Sequence, residues 1–184
     1  MAKTFLEGLS KAAYVDHGYA QVEPNHLSAQ RNGQIYASLP CNKNITVLEN
    51  GQFAKYDYAK NEVNFTGEGE LMLVMNEVKL YDEAWRESYK DFALQADNFN
   101  GGVMAPRVFK TMPGDIYTTN CLEGANTSGK ATFNGTEEIE VGTELKINAN
   151  GFLSVDGTSD IVFQVVKVYT MPDGQQGVKV MRIK

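Results

Sequence analysis

The spacing of apolar and polar positions is clearest in the last third of the chain. Val178 and Val180 alternate with Lys179 and Met181, and Ile183 falls close to the same period of two, as in a half-buried strand. Ile161 to Tyr169 forms a second strand-like stretch, and Leu145 to Asn148 leads into a third pairing with Phe152 to Val155. Turn residues separate them: Asn150-Gly151, Asp156-Gly157, and Met171-Pro172-Asp173-Gly174. Asn-Gly and Asp-Gly accept the positive φ angles of two-residue hairpin turns. Residues 129–184 are therefore predicted to be a run of β-hairpins.

The β pattern extends upstream to Asn32. Ile35 to Leu39 is a strand stopped by Pro40, and Ile45 to Leu48 is a second. Asn50-Gly51 predicts a hairpin into Phe53 to Tyr56, with a short strand at Val63 to Phe65. Leu71 to Leu80 is the strongest strand of this half, and its start, Leu71-Met72-Leu73-Val74-Met75, is the longest apolar run in the chain. Arg107 to Lys110 and Ile116 to Thr119 follow, on either side of a turn at Met112 to Asp115.

Three segments break the pattern. Trp85, Tyr89, Phe92 and Ala96 share one helical face, with Asp82 as a candidate N-cap. They predict one short helix over 82–96, with an aromatic-rich loop as the alternative. Phe5, Leu6, Leu9 and Ala13 suggest another helix over 4–13, and Gly18 and Pro24 then interrupt regular structure. Residues 1–30 read as an extended N-terminal arm that orders against a neighbour, the alternative being a segment packed on its own domain. Residues 122–135 are rich in Gly, Asn, Ser and Thr and read as a linker.

The expected organisation is thus an arm (1–30), a β domain (31–121), a linker (122–135) and a C-terminal β region (136–184). The last region either folds alone or completes one barrel with 31–121. The fold class is mainly β, as an antiparallel barrel or sandwich.

Composition narrows the function. The 184 residues are enough for a buried core in one or two domains. Seventeen basic residues against 23 acidic ones give a net charge of −6, with no Lys/Arg-rich run, which argues against a nucleic-acid partner. No stretch approaches the roughly 18 apolar residues of a membrane helix, and the first residues lack the apolar core of a secretory signal. Cys41 and Cys121 are accordingly expected to be reduced thiols. The Asn-x-Ser/Thr matches at Asn44, Asn64, Asn126 and Asn134 are expected to be coincidences of turn composition.

Candidate chemistry is sparse. His17 and His26 are the only histidines, and with Asp16 they could ligate a metal. Their spacing lacks the tight pairing of zinc sites, so polar contact at an interface is the preferred reading. Neither cysteine sits in a nucleophile motif, and no Gly-x-Ser-x-Gly elbow occurs. Gly67-Glu68-Gly69-Glu70 lacks the third glycine of a dinucleotide loop and carries two carboxylates that would repel phosphate. Asp156 to Asp160 lacks the alternating ligands of a calcium loop. The carboxylate pairs Glu137-Glu138 and Asp82-Glu83 read as exposed charge rather than a glycosidase pair. Tyr56, Tyr58, Tyr81, Trp85 and Tyr89 could stack on a sugar or a partner, or simply fill a core. No catalytic residue, metal or cofactor is assigned. The partner-binding candidates are Tyr14, His17, Tyr19, His26, Trp85 and Tyr89.

Three segments carry a resemblance: Met75 to Asp82, Pro106 to Lys110, and Pro113 to Asn120, joined by Phe163 to Val168 with Pro172-Asp173-Gly174. They resemble segments of small virion structural proteins of tailed bacteriophages, the capsid decoration or auxiliary head proteins. The resemblance spans about two-thirds of the chain and has no ligand or catalytic motif. It implies a non-enzymatic homo-oligomer bound to the major capsid protein or to other virion proteins, assembled in the host cytoplasm and resident in the virion. A tail, connector or head-fibre position is the neighbouring alternative. A carbohydrate- or small-ligand-binding β module is the alternative of a different class, and a metal-dependent or carboxylate-based enzyme ranks last.

Overall fold

The run Leu71 to Met75 becomes the middle layer of the structure. A computed structural model describes residues 15–17, 20–28, 35–36, 39–76, 79–80, 90–91, 93–96, 102–123, 132–133, 137–171 and 176–184. Its strands, in chain order, begin with β1 (Val15–His17), β2 (Val22–His26), β3 (Ile35–Tyr36), β4 (Val47–Leu48), β5 (Phe53–Asp57) and β6 (Glu62–Asn64). They continue with β7 (Leu71–Val74), β8 (Lys79–Leu80), β9 (Lys90–Asp91), β10 (Leu94–Gln95), β11 (Val108–Phe109) and β12 (Ile116–Thr119). The last six are β13 (Thr132–Phe133), β14 (Glu137–Glu138), β15 (Glu144–Ile147), β16 (Leu153–Ser154), β17 (Val162–Thr170) and β18 (Gln176–Arg182).

Two antiparallel sheets carry the fold. One has the strand order β16-β15-β17-β18-β12-β2, the other β3-β11-β7-β5-β6. Neither closes on itself, so the molecule is sandwich-like and the barrel alternative is set aside. Smaller sheets pair β9 with β1 on one side and β8 on the other, β4 with β10, and β13 with β14.

The five-stranded sheet is apolar on both faces. Along β7, Leu73 packs into the main core, and Leu71 and Met75 lie against it, whereas Met72 and Val74 enter a second cluster. Along β5, Phe53 joins the main core and Ala54 the second cluster. The main core is completed by the inner face of the other sheet, including Tyr117, Leu145, Phe163, Val165, Val178 and Val180. The second cluster is closed by Leu48, Val63, Leu94, Met104 and Val108. A strand covered on both sides needs no polar alternation, so the 71–75 run is unbroken. Each fully buried side chain of this kind contributes roughly 1.5–3 kcal/mol.

In the six-stranded sheet the β17–β18 hairpin forms as predicted. Its register runs Val165↔Val180, Lys167↔Lys179, Val168↔Val178, with a bulge between Val165 and Lys167. The extra residue, Val166, shifts the pleat by one position. Val168 therefore turns toward the core, where strict alternation from Val165 would have sent Lys167. The Asn150-Gly151 hairpin also forms, joining β15 to β16 through Ile147↔Leu153. Beyond Val180 the expected alternation ends, since Ile183 is 40% exposed.

Four expectations are corrected. Asn50-Gly51 is not a hairpin turn, because β4 pairs with β10 and β5 with β6 and β7. Asp156-Gly157 joins β16 to β17, but β15 lies between those two strands. The helix over 82–96 fails where it is described. Residues 90–91 and 94–95 are strands, and Leu94 pairs with Leu48 so that both are buried in the second cluster; this pairing overrides the helical spacing. Residues 22–26, assigned to the arm, are β2, paired along β12. Pro24 is accommodated because β2 is an edge strand, where a missing N–H breaks no ladder. Three side chains fasten this strand at its ends: Ala20 N–H donates to Glu49 Oε2 (3.2 Å), Gln21 N–H to Asn120 Oδ1 (2.8 Å), and Ser28 N–H to Asp115 Oδ1 (2.7 Å).

The ends of the predicted linker are also structured. Leu122 is buried in the main core and bridges to Leu153, and 132–133 pair with 137–138. Residues of 31–121 and of 136–184 share that core. The helix predicted over 4–13 and residues 124–130 lie outside the described residues.

Two stability predictions follow from the packing. Gly51 has φ +92°, and an added Cβ would stand 2.6 Å from Cys121 Cβ and 2.7 Å from Thr119 Oγ1. Gly114 has φ +93° with nothing near such an atom. Gly114→Ala is expected to cost about 1 kcal/mol through backbone strain alone, and Gly51→Ala about 2–4 kcal/mol through strain and overpacking. Equal costs in urea unfolding would show that Gly51 is not crowded. The Tyr117 hydroxyl is fully buried and has no hydrogen-bond partner among the described residues. Tyr117→Phe is therefore expected to leave stability unchanged or raise it by up to about 1 kcal/mol. A loss above that would reveal a partner for the hydroxyl.

Candidate functional site

At one end of the sandwich the inward-facing positions change from apolar to charged. On β5, Lys55 shares the face of Phe53, and on β18, Arg182 shares the face of Val178 and Val180. Here the two sheets leave a cleft of about 870 Å³ between them. Its floor is Phe53, Leu71, Ile147 and Ile161, and its charged lining is Lys55, Glu70, Lys110, Asp160 and Arg182.

Strand pairing sets these positions. Lys55 lies opposite Leu71, and Arg182 opposite Phe163. The Thr111 to Asp115 turn forms one wall and is locked to β18: Gly114 N–H donates to the Arg182 carbonyl (2.8 Å), and Arg182 N–H to that of Asp115 (2.9 Å). Asp115, wholly buried, accepts Met112 N–H at 2.8 Å and so holds the turn closed. On the five-stranded sheet's side, where β11 pairs with β7, Lys110 Nζ pairs with Glu70 Oε2 at 2.6 Å.

Arg182 is the most constrained of the charged groups. Its Nε donates to the Lys184 carbonyl (2.8 Å), and its Nη1 to Thr111 Oγ1 (3.0 Å) and to the Thr111 carbonyl. Burial pulls the guanidinium below its ordinary pKa, while Asp115 and Glu70 act the other way. The arrangement can bind and orient an apolar molecule bearing charge. Among the described residues it presents no nucleophile paired with a base. Among the described residues no three His, Cys, Asp or Glu side chains come together as a metal site.

The sequence candidates fall elsewhere. His26 is exposed on the edge strand β2, opposite Ile116. His17 lies on β1, in register with Asp91 of β9. Tyr14, Tyr19, Trp85 and Tyr89 lie outside the described residues. Tyr56 and Tyr58 meet edge to face at 4.7 Å, with Tyr58 exposed and the Tyr56 hydroxyl donating to Asn61. The cleft residues were missed, yet one signal was present: position 182 continues the inward parity of 178 and 180 with a charge. The rest of the lining comes from segments far apart in sequence.

No protein-family model, no curated protein and no solved structure matches the chain.

Both cysteines are free and buried. Burial and the nearby Glu62 carboxylate push the Cys41 thiol up to about 11, the bond to Asn42 opposing them, and burial raises Cys121 well above its ordinary value. A thiol that stays protonated when folded but ionises when unfolded favours unfolding once pH exceeds the unfolded value. The stability advantage of the wild type over Cys41→Ala is therefore full below about pH 9 and shrinks toward pH 11, by on the order of 2 kcal/mol. Urea unfolding of both proteins across that range checks it, and a pH-independent difference would contradict it.

Proposed function

We propose that this protein is a non-enzymatic structural component of a tailed-phage virion, seated on the capsid surface as a decoration or auxiliary protein. The observation that carries the reading is the outer edge of the six-stranded sheet. That sheet ends in β2, where Pro24, Asn25 and His26 are exposed. An edge strand offers a surface for another chain, and a proline within it limits indiscriminate strand pairing. The resemblance supplies the rest of the support, and three of its segments hold strands of the two sheets. Pro106 to Lys110 contains β11, Pro113 to Asn120 contains β12, and Phe163 to Val168 lies within β17. The partner is then the major capsid protein or another virion protein, met by repeated copies of this chain.

Because β2 belongs to the sheet, removing residues 2–30 would disturb the fold along with any contact. The direct test is quantitative mass spectrometry of phage particles purified from the source culture. Peptides of this chain at a fixed, high ratio to the major capsid protein are expected. A low fixed ratio would move the protein to the tail, connector or fibres, and absence from the particles would sink the reading.

A further inference from the structure

We infer that the cleft at the open end of the sandwich binds a small amphipathic anion, an apolar body carrying one carboxylate, with Arg182 receiving the charge. The inference is independent of the virion reading. A volume of about 870 Å³ lies within the range of small-molecule sites, roughly 300–1,000 Å³. The floor of Phe53, Leu71, Ile147 and Ile161 suits the apolar body.

The charges set the sign of the ligand. The protein as a whole carries −6, yet the cleft is lined by Lys55, Lys110 and Arg182 against Glu70 and Asp160. Of these, Glu70 is already paired with Lys110. The Asp115 carboxylate also acts on Arg182, but it is buried behind the wall and held by the Ser28 and Met112 N–H groups. Arg182 adds geometry to charge. A guanidinium has five N–H donors. The bonds to Thr111 and Lys184 use Nε and Nη1, and none of the described residues accepts from Nη2. The side chain is thus fixed in place with two donors left over at the cleft wall. A carboxylate matches such a group in charge and shape, and a guanidinium already held loses little rotamer freedom on binding. An incoming anion also offsets the burial that lowers the Arg182 pKa. A neutral ligand would gain the apolar lining and only a single hydrogen bond here, without the second oxygen and the opposite charge.

The test uses sodium octanoate and its uncharged isostere octanamide, followed by methyl NMR of the full-length protein. Octanoate is expected to shift the methyls of Leu71, Ile147 and Ile161 saturably, and octanamide to bind at least tenfold more weakly. Arg182→Gln should bring octanoate down toward the affinity of octanamide, and the methyl spectrum of the unliganded variant, compared with that of the wild type, separates lost charge from lost fold. Thr158→Trp, at an exposed position of the lining, should fill the cleft and abolish binding of both at unchanged Tm. Equal affinities for the two probes would overturn the proposal, as would shifts spread over the whole surface. Binding of a glutamate-rich peptide without any of octanoate would also overturn it, assigning the cleft to a protein partner.

Discussion

Backbone polar groups must be satisfied where the five-stranded sheet enters its two apolar layers, and the segment 49–52 does this. Glu49, Asn50, Gly51 and Gln52 are all buried. Gly51 N–H donates to the Val74 carbonyl (2.9 Å), and the Gln52 carbonyl accepts Val74 N–H (2.8 Å). The Gln52 side chain accepts Glu49 N–H at 2.6 Å and donates to the Asn150 carbonyl at 3.0 Å. Asn50 Oδ1 accepts Asn76 N–H at 2.7 Å, and Asn76 Oδ1 accepts Arg107 N–H at 2.8 Å. One short segment thus ties β7, the approach to β11, the β15–β16 turn and, through Glu49, the start of β2. Each of these groups would be expensive to bury unpaired, at about 1–3 kcal/mol. The apolar layers supply the drive to fold, and this junction fixes how the sheets are placed on one another.

That junction also explains what could be read from the sequence. The β15–β16 and β17–β18 hairpins were legible because they are local: turn residues lie between strands that pair with each other. Asn50-Gly51 has the same wording as Asn150-Gly151 but a different job. Its glycine is required by the proximity of Cys121 and Thr119, residues about 70 positions away. The helical spacing of Trp85 to Ala96 failed at its described end because Leu94 answers to Leu48, a partner no periodicity reveals. Pro24 looked like a breaker only because its place at a sheet edge is a tertiary fact.

The site was less legible than the fold. Searching for His, Cys and paired carboxylates selects reactive groups, whereas the cleft is made of ordinary residues brought together by the divergence of two sheets. Lys55 and Arg182 carry charge at inward parity, and that mismatch is visible in a sequence once the strands are known. The contribution of Lys110 and of 158–161 is not, since it depends on which ends of the sheets lie together. His26, a partner-binding candidate from the sequence, is exposed on a sheet edge instead of a free arm.

The order of strands in the six-stranded sheet has a kinetic consequence. β12 is flanked by β2, some 90 residues before it, and by β18, some 60 residues after it. On the ribosome, Ile116 to Thr119 are made long before Val178 to Met181, their partners on one side. Phe53 and Leu73 likewise wait for Phe163 and Val180 to cover them. The nascent chain therefore carries an apolar face without its lid until synthesis has passed β18. This interval exposes it to association with other chains.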